Sequence, residues 1–352
     1  MVASRGEEAG MMSRDRLFTS LQLGVPDRVP FAPRAREFAV RYAGYRYGDI
    51  LTDVDKYVDA QLRLVEDFHA DALWGYGTTP HFIQLVGGKL IVFDDDVPAS
   101  EPAVHSREQV ALLDKNPDFA RIPALSACLR IIRKMKKEVG SLVPIIGYFP
   151  MPFRFAAEVR GLENLMLDLI LNPDLVRELQ EYFIPIATRY AEALIEAGAD
   201  VVTETNEVAN KNCISRKHFE ELVHPYCVAQ IAQLKERGIK SIFHLCGNWS
   251  DRLDLAVAEG AECIWVDKVE EASIVYLKRT FGSKACIMGD VHVVNTLLHG
   301  TLEEVTEATR ESVEEGKPGG GFILSGSCSV PRDIPPENLH AMDEACQKYG
   351  RY

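Results

Sequence analysis

With 352 residues, 47% of them hydrophobic, the chain can bury one large core or two smaller ones. Its 39 Lys and Arg against 52 Asp and Glu leave a formal net charge of -13, which repels nucleic acid and anionic membrane surfaces. No run approaches the roughly 20 consecutive apolar residues of a membrane span, and the opening MVASRGEEAGMMSRDR lacks a signal-peptide apolar region, so a cytoplasmic location is expected. Cysteines at 128, 213, 227, 246, 263, 286, 328 and 346 form no paired framework and are expected to stay reduced.

Taken in chain order, residues 1–12 read as a flexible leader, because Gly, Ser and charges dominate them, and 13–352 as one domain with a helical N-terminal cap. Short apolar runs then alternate with helical patterns: VPFAP (29–33), DALWGY (71–76), VPIIGYF (143–149), ADVVTET (199–205), KSIFHLC (240–246), AECIWVD (261–267), KACIMGD (284–290) and GGFILSG (320–326). Between them stand amphipathic stretches over 173–198, 216–238 and 301–316, each predicted to close on a glycine in the left-handed conformation. The interval 77–142 carries GGKLIVFDDD and a helical LSACLRIIRKMKKEVG, and reads as an insertion or an extra hairpin. Eight candidate strands in βα order predict an α/β fold, a TIM-type (β/α)₈ barrel. The open doubly wound alternative lacks a Gly-rich dinucleotide fingerprint after its first strand.

Active sites of such barrels are built where the strands end, so the residues there carry the functional reading. The fifth candidate strand ends in His244-Leu245-Cys246-Gly247-Asn248, and the i, i+2 rule projects His244 and Cys246 to one side. Cys328 follows the eighth and reaches the same rim. One imidazole and two thiolates make a three-ligand site with an open fourth position, as catalytic zinc uses, and soft sulfur argues against magnesium or calcium. Taken alone, an H-x-C triplet is also read as a buried histidine beside a cysteine acting as a small hydrophobe. At the fourth strand's end, Glu204 reads as a base, a displaceable fourth ligand or a solvated carboxylate, with Asn206 beside it. Asp267, Asp290 and His292 follow the sixth and seventh strands, where each orients a ligand or caps the next helix. Trp74, Tyr76 and Tyr148 line a pocket or simply pack.

The runs FHLCGN (243–248), GDVHVVNTLLHGTLEEV (289–305) and GGGFILSGSCSVPRDIPPENLHAM (319–342) resemble the corrinoid-dependent methyltransferases of the uroporphyrinogen decarboxylase superfamily. RLFTSLQLGVPDRVPFAP (16–33) and the segments within 169–202 extend the resemblance over nearly the whole chain. It implies zinc on His244, Cys246 and Cys328. It also implies a methyl group moving between a small thiol, methyl ether or other methylated substrate and the cobalt of a corrinoid, such as methylcobalamin, on a separate protein. No corrinoid-binding segment is matched in this chain. The decarboxylases of the superfamily carry an arginine-rich segment ending in QAGR after the first strand, which PFAPRAREFA matches only in part through Arg34 and Arg36. A metal-free decarboxylase and a non-catalytic ligand-binding relative are the two rival readings. For methyl exchange with a docked corrinoid protein, the loops 74–82, 148–155 and 204–213 are expected to form an open mouth.

Overall fold

Seven of the eight apolar runs form strands in the computed structural model, which describes residues 10–352. They are β1 (Leu73–Trp74), β2 (Ile145–Pro150), β3 (Val201–Thr205), β4 (Ser241–Leu245), β5 (Cys263–Val266), β6 (Cys286–Val291) and β7 (Phe322–Gly326). All pair in parallel with their sequence neighbours, in the order β1 to β7. The run at 29–33 contributes a single parallel bridge, Phe31 to Leu324. Pro30 and Pro33 have no N–H to give a ladder, which is why that run does not extend into a strand. The backbone nevertheless bonds on both sides: Ala32 N–H donates to Leu324 O at 2.9 Å, and Asp71 N–H donates to Phe31 O at 2.6 Å. The curled sheet is thereby closed between β7 and β1, giving the barrel-like α/β architecture.

Strand alternation sorts the side chains into two layers. Ala32, Ala72, Trp74, Ile146, Val201, Ile242, Cys263, Trp265, Cys286, Met288 and Ile323 fill the lumen, together with Leu17 and Leu21. Those two leucines come from the helix Ser13–Leu21, which lies under the barrel. Arg14 at its start bonds Leu142 O through its backbone N–H and pairs with Asp200, both residues just upstream of strands, so this helix plugs the N-terminal end. The neighbours of opposite parity, such as Val202, Phe243, Ile264, Ile287 and Leu324, join the larger core beneath the surrounding helices. Part of the expected leader is pinned too, since Met11 N–H donates to Asp27 at 2.9 Å; residues 1–9 of that expectation lie outside the described residues.

Three helical expectations meet different outcomes. Helix Pro173–Ala197 ends on Gly198 at φ +116°, as the glycine pattern predicts. The 216–238 stretch divides into Arg216–Leu222 and His224–Glu236, because Pro225 cannot supply the N–H that a continuous helix needs there. Gly316 is the last helical residue of Leu302–Gly316 rather than its left-handed cap; a Cβ on it would stand 2.5 Å from the Phe322 ring, so close packing explains the glycine. The 77–142 interval resolves into a 3-10 run Thr79–Val86, a two-stranded ribbon of Leu90–Ile91 with Ala99–Ser100, and helices Arg107–Leu112 and Pro123–Val139.

Candidate metal centre

His244 occupies the penultimate position of β4, on the lumen side set by Ile242, and is only 2% exposed. Its backbone pairs with Trp265 on β5, and its ring lies 3.9 Å, centroid to centroid, from the Trp265 indole. Nδ1 stands 3.3 Å from the Trp265 carbonyl, which can only accept. The proton therefore belongs on Nδ1, leaving the Nε2 lone pair for a ligand. Nε2 is 3.5 Å from Cys328 Sγ, and Cys328 Sγ is 3.7 Å from Cys246 Sγ. The three ligand atoms lie within 4.8 Å of one another. Both thiols are half-buried, so the cluster opens toward the C-terminal rim.

The backbone that holds this triangle is specified locally. Gly247 sits at φ +83°, where an L side chain is strained and where a Cβ would meet Asn210 at 2.6 Å. This turn lifts the chain off β4 just after Cys246; Gly247 N–H is held by Asp267 at 3.0 Å, and the Cys246 carbonyl accepts the Trp249 indole N–H at 3.0 Å. On the other side, the Trp265 indole N–H donates to Gly326 O at 2.8 Å, tying β5 to the loop that carries Cys328. The hydrogen bond from Cys246, with the Arg34 charge adding to it, holds Cys328 well below the usual thiol range, while the same bond pushes Cys246 up. One sulfur of the pair is thus ready to ligate a cation. An imidazole nitrogen with a free lone pair and two sulfurs in one half-open triangle fit zinc by both donor type and number.

The other expected residues scatter. Glu204 and Asn206 have the parity of Val202, away from the lumen: Asn206 reaches Cys227 Sγ at 3.5 Å, and Glu204 lies fully buried near Glu259 and Glu262 with neither carboxylate oxygen hydrogen-bonded. Burial pushes the Glu204 carboxyl well above the usual range. A carboxyl on the helix side of β3 is placed to face neither thiol. Asp290 is paired with Lys268 at 2.9 Å. His292 uses Nδ1 to cap the following turn, accepting from Val294 N–H at 3.2 Å and Asn295 N–H at 3.0 Å, the capping alternative of the sequence reading. Tyr76 packs among Tyr47, Tyr57 and His81. Trp74 belongs to the lumen layer, 5.4 Å from Trp265. Tyr148 bonds Thr79 Oγ1 at 2.6 Å and Thr205 Oγ1 at 3.2 Å.

Two residues at the centre carry more than the sequence reading gave them. Trp265 positions His244 through its carbonyl and its ring, and the Cys328 loop through its indole N–H; an indole one residue before a strand end, opposite a rim histidine, was the available signal. Arg34 is 5% exposed, with its guanidinium 5.1 Å from the Tyr148 ring, 5.7 Å from Trp265 and 5.8 Å from Trp74. The expected mouth segments also meet one another, since the helix Pro152–Arg160 packs on Thr79–Val86 and on Glu207–Ala209. A surface cleft of about 380 Å³ beside Phe119, Arg189, Glu192 and Glu196 lies toward the opposite end of the barrel, near the helix end that leads into β3.

The profile of the uroporphyrinogen decarboxylase (URO-D) family matches residues 12–349, and the chain belongs to that family. Among curated proteins it is 27% identical over 254 residues to the methylated-thiol–coenzyme M methyltransferase of Methanosarcina mazei, an alignment covering 72% of this chain and 66% of that protein. It is likewise 27% identical over 257 residues to the methylcobamide:CoM methyltransferase MtbA of the same organism, covering 72% of this chain and 73% of the other. Among solved structures, a methyltransferase from Methanosarcina mazei superposes with a TM-score of 0.86 at 21% identity, over 96% of this chain and 99% of that one. The likeness is one of fold. Among the described residues, no helix is long and apolar enough to cross a membrane.

Proposed function

We propose that this chain is a zinc-dependent methyltransferase that moves a methyl group between a corrinoid carried on a partner protein and a small thiol, methyl ether or other methylated substrate. The observation that carries the reading is the triangle of His244 Nε2, Cys246 Sγ and Cys328 Sγ within 4.8 Å at the half-open strand ends. The curated relatives, named as methyltransferases acting on methylcobamide or methylated thiols, support methyl transfer in general.

His244, Cys246 and Cys328 would hold the ion, leaving one position for substrate. Zinc bound there supplies Lewis acidity, lowering the pKa of a thiol or drawing charge from an ether oxygen. The protein's own part is orientation. The Trp265 carbonyl fixes the imidazole tautomer, the Gly247 turn and Asp267 set the direction of Cys246, and the Trp265–Gly326 bond sets the Cys328 loop. Arg34 adds positive charge beside Cys328, which favours anionic sulfur in the pocket. A corrinoid on a partner protein would supply the one-carbon chemistry, and this chain would bind and align the small substrate.

The test has two parts. Metal analysis of anaerobically purified, reduced protein is expected to give about one zinc per chain, the stoichiometry of a single three-ligand site. Mixing the protein with methylcobalamin and candidate thiols, or with cob(I)alamin and methylated substrates, is then expected to change the cobalt spectrum, and the change should vanish in Cys246→Ala. Absence of zinc, or decarboxylation of a porphyrinogen by the same preparation, overturns the reading.

A further inference from the structure

Eight cysteines stand free in the chain, and they differ in what surrounds them. Cys128, Cys227, Cys263, Cys286 and Cys346 are buried, so a dissolved oxidant reaches their sulfurs only through local opening. Cys213 is exposed, in the loop after Glu207–Ala209. Cys246 and Cys328 combine access with a neighbouring sulfur: both are half-buried at the strand ends, and their Sγ atoms are 3.7 Å apart.

That separation suits two alternative bonds. Two thiolates on one tetrahedral zinc at about 2.3 Å stand about 3.8 Å apart, whereas a disulfide brings the sulfurs to about 2.05 Å. Nothing but the other ligands holds these two at the longer spacing. Cys246 Sγ contacts Cys328 Sγ, which contacts His244 Nε2 in turn, and no backbone acceptor takes either thiol. Cys328 lies in an irregular segment between two anchors, where Ser327 N–H donates to Val291 O at 2.8 Å and Val330 N–H donates to Arg34 O at 2.9 Å. Cys246 stands between the last residue of β4 and the left-handed Gly247. Both cysteines are thus outside the regular strands, where rotation about χ1 can bring one sulfur onto the other. The two bonds exclude each other, because the thiolate is the ligand and a disulfide sulfur has no thiolate charge to give. His244 alone cannot then retain the ion.

We infer that Cys246 and Cys328 are a redox pair that exchanges the metal for a disulfide, so that peroxide-class oxidants switch the centre off reversibly. One sulfur attacks the peroxide O–O bond, giving a sulfenic acid and one water; the other displaces the sulfenic hydroxyl as a second water and closes the S–S bond. The two thiolates lose two electrons, the peroxide takes them up with two protons, and zinc leaves as the divalent cation. The inference rests on the proposed zinc reading for the metal that is released. The bond between the sulfurs can be measured without it.

Zinc-loaded protein, prepared anaerobically and freed of reductant, is treated with a few equivalents of hydrogen peroxide while released zinc is read with a chromogenic chelator. One zinc is expected for each pair of thiols lost, leaving six of the eight titratable after denaturation. Peptide mapping without reduction should find Cys246 joined to Cys328, and dithiothreitol with added zinc should restore thiols and metal. Cys213→Ser is expected to form the same link, because the exposed thiol takes no part in it. In Cys246→Ala, Cys328 has no resolving partner and should advance to the sulfinic acid, read as a mass gain of two oxygens. Zinc and all eight thiols retained under excess peroxide, or zinc lost with Cys246 and Cys328 unlinked, overturns the switch and leaves the zinc reading standing. The same link formed in a preparation that binds no zinc upholds the pair and rejects the zinc reading instead.

Discussion

Replacing Trp265 by Phe separates positioning from packing. The change removes the indole N–H that donates to Gly326 O at 2.8 Å and shrinks the ring lying 3.9 Å from His244. Leaving a buried carbonyl without its donor costs about 1–3 kcal/mol. The lost ring volume adds roughly 1–2 kcal/mol, a fraction of a full Trp truncation. The chain should therefore be destabilised by about 2–5 kcal/mol in urea unfolding of the metal-free protein, taking both contributions together. The informative quantity is zinc affinity, measured by competition with a chromogenic chelator. Loss of a partner that orients a ligand costs about 10–100-fold. Trp74→Phe is the control: Trp74 shares the lumen layer and lies 5.4 Å from Trp265, but its indole N–H has no partner. Removing an unpaired buried donor offsets part of the lost packing, so Trp74→Phe should keep wild-type zinc affinity. Wild-type affinity in Trp265→Phe, or equal loss in both variants, refutes the idea that the Trp265 side chain positions the metal ligands.

Three more outcomes are expected. Cys328→Ala should lose most of its zinc by elemental analysis while its metal-free unfolding midpoint stays near wild type, because a half-buried rim ligand adds little to the lumen core; an unfolded variant would instead make Cys328 a packing residue. Glu204→Gln should keep zinc and methyl transfer and flatten the pH dependence of stability. The raised carboxyl binds a proton in the native state that the unfolded chain releases above about pH 4.5, so wild-type stability falls as pH rises from there, by up to about 1.4 kcal/mol per pH unit. Glu259, pushed up to about 7 by burial, contributes a fall of the same sign between the two values and persists in the variant, so an unchanged slope in Glu204→Gln would show that Glu204 is ionised in the fold. His292→Ala should lower stability by about 1 kcal/mol through loss of the cap, with zinc content unaltered; loss of zinc would make His292 part of the centre.

What the sequence discloses here follows from periodicity, and where it misleads follows from periodicity too. Continuous apolar runs mark buried parallel strands whatever their register, so seven strands and the βα order were legible. The first run failed as a strand for a reason written in it, the prolines at 30 and 33, although its flanking bonds still close the barrel. His244 and Cys246 could be paired because a spacing of two keeps one side, and Cys328 because the following strand ends beside them. Parity also puts Glu204 on the side of β3 away from the lumen. Val201 faces the lumen, so Thr203 and Thr205 share that side and Glu204 cannot, a step available only once one lumen residue of β3 is known. In a strand buried on both faces, composition gives no hint of which face is the lumen.

Arg34 illustrates the complementary limit. Its neighbours in the chain, Pro33 and Ala35, say nothing about charge compensation, and its three aromatic partners come from β1, β2 and β5. Whether a buried cation is satisfied is a property of every acceptor within reach, hence of the folded ensemble of strand ends rather than of any local pattern. Arg36, two residues on, has the same residue type and the same burial, yet its two terminal nitrogens bond the Gly77 carbonyl and Glu37. The difference between the two arginines therefore lies in the acceptors within reach, which leave Arg34 without an ion pair among the described residues.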